Sequence, residues 1–291
     1  MTREMTARVA LRAGGSRIVR YAGAICYEAF KSIAGRHAFP ADFPTADAAT
    51  RLVASVLARS DVYSVVAQLN GRIVGSNFLW ENGTIAGIGP ITIDPEAQNV
   101  GIGCSLMLDV LERARRRRFA GVRLVQAAYH SRSLSLYLKL GFDAREPLST
   151  MQGAPLRISL PGYDVRAAHA RDLEACNVLS RKVHGHDRAG DVADAIASGT
   201  AMVVERGERI TGYATVVGFF GHSVGETNGD LQALIAAADG FAGPGFLLPT
   251  RNAELMRWCL CHGLRVVQPL TLMSVGLYNE PTGAFLPSIL F

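Results

Sequence analysis

At 291 residues, with 49% hydrophobic and 19% charged residues, the chain is long enough for two domains of ordinary size and too apolar for a disordered protein. The formal net charge of +5 is mild: it suits an anionic ligand but is not concentrated enough to argue for a nucleic-acid partner. The five cysteines (Cys26, Cys104, Cys176, Cys259 and Cys261) are scattered and odd in number, and no apolar run approaches membrane-spanning length, so the expectation is a reduced, cytoplasmic protein without disulfides or a membrane partner.

Val9 to Arg12 is a candidate first strand. From Ser16, placed as an N-cap, apolar residues at Ile18, Ala22, Ile25 and Ala29 predict a helix, which the run from His37 to Pro44 ends. A second helix is expected from Ala46 to Ala58. Tyr63 to Leu79 reads as strand, turn at Asn70-Gly71, strand. An apolar β-prone run from Ile88 to Ile93 then meets Asp94-Pro95, and the turn Gln98-Asn99-Val100-Gly101-Ile102-Gly103 opens into a helix. Ile102, Leu106, Val110 and Ala114 form the apolar stripe of that helix, and Asp109–Arg113 and Glu112–Arg116 are i,i+4 pairs. Arg115 to Arg118 read as a solvated helix end, where the dipole favours cations. Gly121 to Gln126 is the next strand, and Ser133 to Phe142 a helix with its closing glycine.

The glycine turn before the long helix has the layout of a phosphate cradle. First-turn N–H groups lack partners inside a helix and carry the positive end of its dipole, and glycines let the backbone approach a bulky pyrophosphate. The spacing rules out a P-loop, because no Lys-Ser/Thr follows. It also rules out the dinucleotide fingerprint, because no third glycine comes three residues after Gly103.

The loop Gln98-x-x-Gly101-x-Gly103, together with Leu136-Tyr137-Leu138-Lys139-Leu140-Gly141-Phe142, resembles the GCN5-related N-acetyltransferases. The resemblance implies an α/β (α+β) fold, a mixed, mostly antiparallel sheet flanked by helices. It also implies acetyl-coenzyme A as cosubstrate without a metal, and direct acyl transfer to the primary amine of a small molecule or peptide. On it, Ile91, Thr92 and Ile93 pair with the pantetheine arm, and backbone N–H groups from Val100 through Ser105 hold the phosphates. Gln98, Asn99, Gly101, Ile102, Gly103 and Cys104 belong to that cradle, and Ser133, Leu136 and Tyr137 complete the cofactor contacts. Tyr137 is implied as general acid, since a phenol is protonated at neutral pH and can donate to the departing thiolate.

One position departs from the family: His130 stands seven residues before Tyr137, where an asparagine is usual, and it could hydrogen-bond in its place or serve as base. The base itself stays open among His130, Glu81, His184, His186, Glu226, the Phe291 carboxylate and water. Tyr27, Phe30, Phe39 and Phe43 fall where the family shapes its acceptor side, although core packing explains them as well. His184-Gly185-His186-Asp187 lacks a third spaced ligand and reads as polar structure, not a metal site. A binder that senses acetyl-coenzyme A, or a protein-interaction scaffold, is the alternative to an enzyme.

The second half reads as a worn copy. Residues 1–148 form the first domain, 149–162 a linker rich in breakers (Gly153, Pro155, Pro161-Gly162), and 163–291 a degenerate second domain. Val203 to Gly212 mirrors Val66 to Gly75, and Phe246 to Leu264 mirrors Leu124 to Phe142. Between these matches the copy is about fifteen residues shorter, where the first half carries its cradle. Glu226 and Asp230 stand near the start of the corresponding helix and would repel a pyrophosphate, and Cys259 occupies the place of Tyr137. Arg251-Asn252 is either a polar wall or a helix cap with a solvated arginine. The apolar tail from Gly276 to Phe291 is expected to pack back on the body; left exposed, it would mark a homodimer contact.

Overall fold

The computed structural model describes residues 9–290. Contacts divide the chain into two compact units: one runs to Glu81 and takes in Ala86–Val122, and the other holds Asn82–Ile85 and everything from Arg123 onward.

The first unit contains β1 (Val9–Ala13), α1 (Val19–Arg36), α2 (Ala46–Ala58), β2 (Val62–Leu69) and β3 (Arg72–Trp80). It continues with β4 (Ile85–Ile88, entered from the other unit), β5 (Thr92–Ile93) and α3 (Ile102–Arg116). The strands pair antiparallel in the order β1-β2-β3-β4, and β5 also pairs with β3, Gly75 opposite Ile93 and Ser76 opposite Thr92. Asn70 and Gly71, both at positive φ, make the β2–β3 turn, as a two-residue hairpin requires. Thr45 caps α2 by accepting from the Ala48 N–H at 3.2 Å. Ser16 does not cap α1; it opens a 3₁₀ turn, Ser16–Ile18, and α1 starts at Val19. The run from Ile88 to Ile93 is not one strand either. It breaks at Gly89-Pro90, where proline lacks a donor and Gly89 has φ +144°, so β4 and β5 reach β3 separately. Tyr27, Phe30 and Phe43 pack against a core of Ala22, Cys26, Val53, Val56 and Phe78, which favours the packing reading for these rings.

The second unit begins on β6 (Gly121–Ala127) and continues through α4 (Ser131–Lys139), β7 (Asp143–Gln152), β8 (Asp164–Ala167), α5 (Leu173–His184) and α6 (Ala189–Ala197). Then come β9 (Met202–Arg206), β10 (Arg209–Ala214), β11 (Ser223–Gly225), α7 (Asn228–Ala237), β12 (Phe246–Pro249), α8 (Ala253–Cys261), β13 (Arg265–Gly276) and β14 (Ala284–Leu286). Element for element, β8 through β13 repeat the order of β1 through β7, except that nothing in the repeat corresponds to β5. One set of strands runs β14-β11-β10-β9-β8. The other runs β6-β13-β7-β12.

That second order carries an exchange. β7, from the first copy, lies between β13 and β12 of the second, and β13 lies between β6 and β7 of the first. β7 and β13 pair along their length, from Arg265 opposite Gln152 to Ser274 opposite Asp143. The 149–162 segment therefore falls inside one compact unit, because β7, in which it begins, is hydrogen-bonded to β12 and β13 of the second copy. Leu231, Leu234, Phe246, Leu248 and Leu255 fill the main core of this unit. The tail packs back as expected: β14 pairs with β11, the Ile289 N–H donates to the Phe219 carbonyl at 2.8 Å, and Phe285 and Leu286 are buried. Among the described tail residues Leu277, 40% exposed, is the large apolar side chain left at the surface.

Candidate functional site

In the first unit the glycine turn is built as the spacing requires. Gly101 is the N-cap of α3 at φ +85°, a left-handed conformation that side chains resist, and no side chain caps the helix. The first intrahelical bond at this end is Ser105 N–H to the Gly101 carbonyl at 3.1 Å, so the N–H groups of Ile102, Gly103 and Cys104 precede it. A Cβ on Gly101 would meet no atom within 4 Å. Asn99 also has positive φ (68°), and Val100 is 61% exposed. Gln98 Nε2 donates to the Ile93 carbonyl at 3.3 Å and so ties the turn to β5. Thr92 is buried with its hydroxyl 3.3 Å from that of Ser76, and Ile91 lies in the bend between β4 and β5.

The rest of α3 is held in place by its buried face, Leu106, Met107, Val110 and Ala114, and by polar ties. Asn77, itself buried, donates to the Leu106 carbonyl at 3.3 Å, and the Tyr63 hydroxyl donates to Asp109 at 2.9 Å. Arg113 grips Glu81 with two bonds of 2.6 and 2.9 Å while its guanidinium lies 4.5 Å from the Tyr63 ring centre. Glu81 is thus engaged as a structural acceptor, which argues against it as the free base considered from sequence. The arginine run at the end of α3 is partly paired, Arg115 and Arg116 with Glu112 and Arg117 with Glu81.

In the second unit Tyr137 sits on α4, 6% exposed, with its ring centre 6.1 Å from that of Phe142. Burial pushes its phenol well above the usual tyrosine range, so it stays protonated. Its hydroxyl takes no hydrogen bond among the described residues. His130 is the N-cap of α4 without a capping side chain, and Leu136 is partly buried on the same helix. Ser133 donates to Gln126 Oε1 and to the His130 carbonyl, both at 2.9 Å. Gln126, on β6, had no marker in the sequence. Its Nε2 is buried with no hydrogen-bond partner among the described residues, which makes it a further donor beside Ser133.

Other candidates are accounted for inside the second unit. Glu226 is bound by Arg209 (two bonds of 2.8 Å) and Lys182 (2.8 Å), and these hold its carboxyl down at about 2, so it is no base. His184 and His186 are buried, their rings 5.8 Å apart. Burial, with nearby arginines, lowers His184 well below the ordinary imidazole value and His186 to about 4. Among the described residues no group of His, Cys, Asp or Glu could hold a metal. The Phe291 carboxylate lies outside the described residues. Asn252 caps α8 by accepting from Leu255 N–H at 3.2 Å, while Arg251 binds Glu146 at 2.9 Å instead of standing free in solvent. At the head of α7, Asp230 accepts from the Thr227 N–H at 2.8 Å and from Thr211, and pairs with Arg206. A carboxylate thus closes in the second copy the helix start that the first copy leaves open.

Residues 30–142 match the family described as Acetyltransferase (GNAT). The fold is similar over nearly its full length to the "Putative Acetyltransferase" from Pyrococcus horikoshii, at 16% identity, covering 98% of this chain and 97% of that one with a TM-score of 0.74. A GCN5-related N-acetyltransferase from Sphaerobacter thermophilus is similar at 14% identity over 94% and 96%, with a TM-score of 0.63. A tandem GNAT protein from the clavulanic acid biosynthesis pathway is similar at 12% identity over 92% and 98%, with a TM-score of 0.55. At such identities the likeness is one of fold, and it spans both copies. No curated protein sequence matches the chain. Among the described residues no helix is long and apolar enough to cross a membrane.

Proposed function

From the match of residues 30–142 to the acetyltransferase (GNAT) family and the likeness of fold, we propose that the chain is an acetyl-coenzyme A-dependent N-acetyltransferase acting on the primary amine of a small molecule or peptide. The observation that carries this reading is the uncapped start of α3, with Gly101 left-handed and open space beside it. A pyrophosphate would there meet N–H groups from Val100 to Ser105 and the positive end of the helix. Ile91, Thr92 and Ile93 would offer backbone groups to the pantetheine arm. The second copy, closed by Asp230, binds no coenzyme A in this reading.

In the reaction the amine nitrogen attacks the thioester carbonyl, a C–N bond forms and the C–S bond breaks. The departing sulfur takes the Tyr137 proton, and the proton lost by the amine leaves through His130 or water. Burial keeps the Tyr137 phenol protonated across the working pH range, as an acid requires. Most of the rate enhancement would come from holding the two reactants in register.

The test is release of free thiol from acetyl-coenzyme A in the presence of a panel of small amines and peptide N-termini, for wild type and Tyr137→Phe. The expected result is turnover by wild type and a kcat lowered at least tenfold in the variant, with coenzyme affinity unchanged. Equal turnover would remove Tyr137 from the mechanism. Binding of acetyl-coenzyme A without turnover on any amine would favour a sensor.

A further inference from the structure

On β6, Val125 and Ala127 pack against the core of Leu148, Phe219, Leu247, Leu270 and Leu272, so the alternation of the strand turns Gln126 to its other face. There Gln126 is 6% exposed, and its amide is anchored at one end, where Oε1 accepts from the Ser133 hydroxyl of α4 at 2.9 Å. Ser133 shares its proton with the His130 carbonyl, also at 2.9 Å. The other end of the amide is open. Nε2 is buried and has no hydrogen-bond partner among the described residues.

A buried amide N–H without an acceptor is costly, and native folds rarely keep one. Packing gives no reason for a glutamine here, since an apolar side chain of similar length would fill the space without that cost. Ser133 and Tyr137 are four residues apart on α4 and so share a face, one turn from each other. The Tyr137 hydroxyl also makes no hydrogen bond among the described residues, and burial is what shifts its titration. Two donors, one from β6 and one from α4, thus gather at one face of α4, and neither has an acceptor.

We propose that Gln126 is a further substrate-binding residue for acyl transfer: its Nε2 donates to the carbonyl oxygen of the thioester whose sulfur meets Tyr137. This assignment, which rests on the acetyltransferase reading, uses only β6 and α4 of the second unit. In a thioester the carbonyl oxygen and the sulfur are bonded to the same carbon, so donors to the two must stand side by side, as this amide and this phenol do. When the amine nitrogen attacks that carbon, an electron pair of the C=O bond moves onto oxygen; as the C–S bond breaks, the pair returns and the carbonyl re-forms. An N–H held toward that oxygen stabilises the charge it carries in between. Gln126 gives up no proton: Tyr137 supplies the one taken by sulfur, and the amine's leaves by the route already assigned. Ser133 does the holding, because its bond to Oε1 leaves Nε2 as the end open to a ligand.

Gln126→Met keeps the length of the side chain and removes the donor, while Ser133 retains the His130 carbonyl; without ligand the variant should unfold no more easily than wild type. Calorimetric titration of the full chain, wild type and variant, with acetyl-coenzyme A and with S-ethyl-coenzyme A, a thioether without the carbonyl oxygen, isolates the bond as a coupling between side chain and ligand. The preference of wild type for the thioester over the thioether is expected to fall about fivefold in the variant, the loss of one neutral hydrogen bond, with thioether affinity unchanged. On any amine that wild type turns over, kcat should fall about a hundredfold, the scale of a lost oxyanion donor. If Gln126→Met does not fold, Gln126→Glu, which keeps the acceptor for Ser133 and loses only the donor, decides by the same titration. An unchanged preference, or equal weakening of both ligands, would overturn the proposal while leaving the acetyltransferase reading in place. Failure of wild type to bind either ligand would overturn that reading, and this assignment with it.

Discussion

Gly101 and Gly71 form a matched pair for testing the cradle. Both are left-handed, at φ +85° and +81°, and at both a Cβ would meet no atom within 4 Å. Alanine at either position therefore carries only the backbone cost, about 1–2 kcal/mol, and the two variants should unfold alike without ligand. Gly71 lies in the β2–β3 turn, whereas the Gly101 methyl would project into the opening assigned to the pyrophosphate. Acetyl-coenzyme A at 100 times its dissociation constant should add about 2.7 kcal/mol to wild type and to Gly71→Ala. If the Gly101→Ala methyl weakens binding a hundredfold, the same concentration adds only about 0.4 kcal/mol. Urea unfolding of the three proteins with and without ligand measures all of this. Full ligand stabilisation of Gly101→Ala, or equal loss in both variants, would refute the assignment of the α3 start as the cofactor site.

A fragment of residues 1–162 should fail to give a cooperative unfolding transition, because β6 and β7 lose the strand β13 that lies between them; adding 163–291 in trans should restore it. A stable monomeric fragment would show that the exchange is dispensable. Asp172, held down at about 2 chiefly by hydrogen bonds from Arg166, contributes stability that is complete above its unfolded value near 4 and is lost as pH falls from about 5 through 2. Asp172→Asn should therefore flatten the pH dependence of stability over that window, and an unchanged slope in acid titrations would disprove it. Leu234→Ala, at a fully buried position in the second unit's core, should lower stability by about 2–5 kcal/mol, read as a reduced urea midpoint at constant slope.

What the sequence made legible follows from local physics. The extent of α2, the Asn70-Gly71 turn and the four-residue stripe of α3 are each specified by neighbours a few positions apart, and the structure has each of them. Gly101 belongs to the same class, since a glycine before an apolar stripe is a local signal. The split between β4 and β5 was also written locally, in Gly89-Pro90, but the continuous apolar run around it masked the break. Glu81 and Glu226 looked like free carboxylates because their partners, Arg113 at one and Lys182 and Arg209 at the other, are distant in sequence or across a turn. The same holds for Gln126, whose importance lies in an amide left without a bond by folding.

The exchange of β7 and β13 was beyond local reading for a different reason. The two strands share one burial pattern over their first six residues, so nothing in either segment names its neighbours. The repeat itself supplies the choice. Two copies of one fold offer equivalent slots, and a linker from Gly153 to Gly162 need only place the second copy beside the first for each late strand to enter the other's slot. Once both have crossed, neither is an open edge: β7 is bonded on both sides, to β13 and β12, and β13 to β6 and β7. This gives the second copy a structural role that needs no cradle. Its β13 completes the sheet next to β6, the strand that leads directly into the Tyr137 helix, so a copy with no open helix start of its own still supports the one residue on which the proposed chemistry turns.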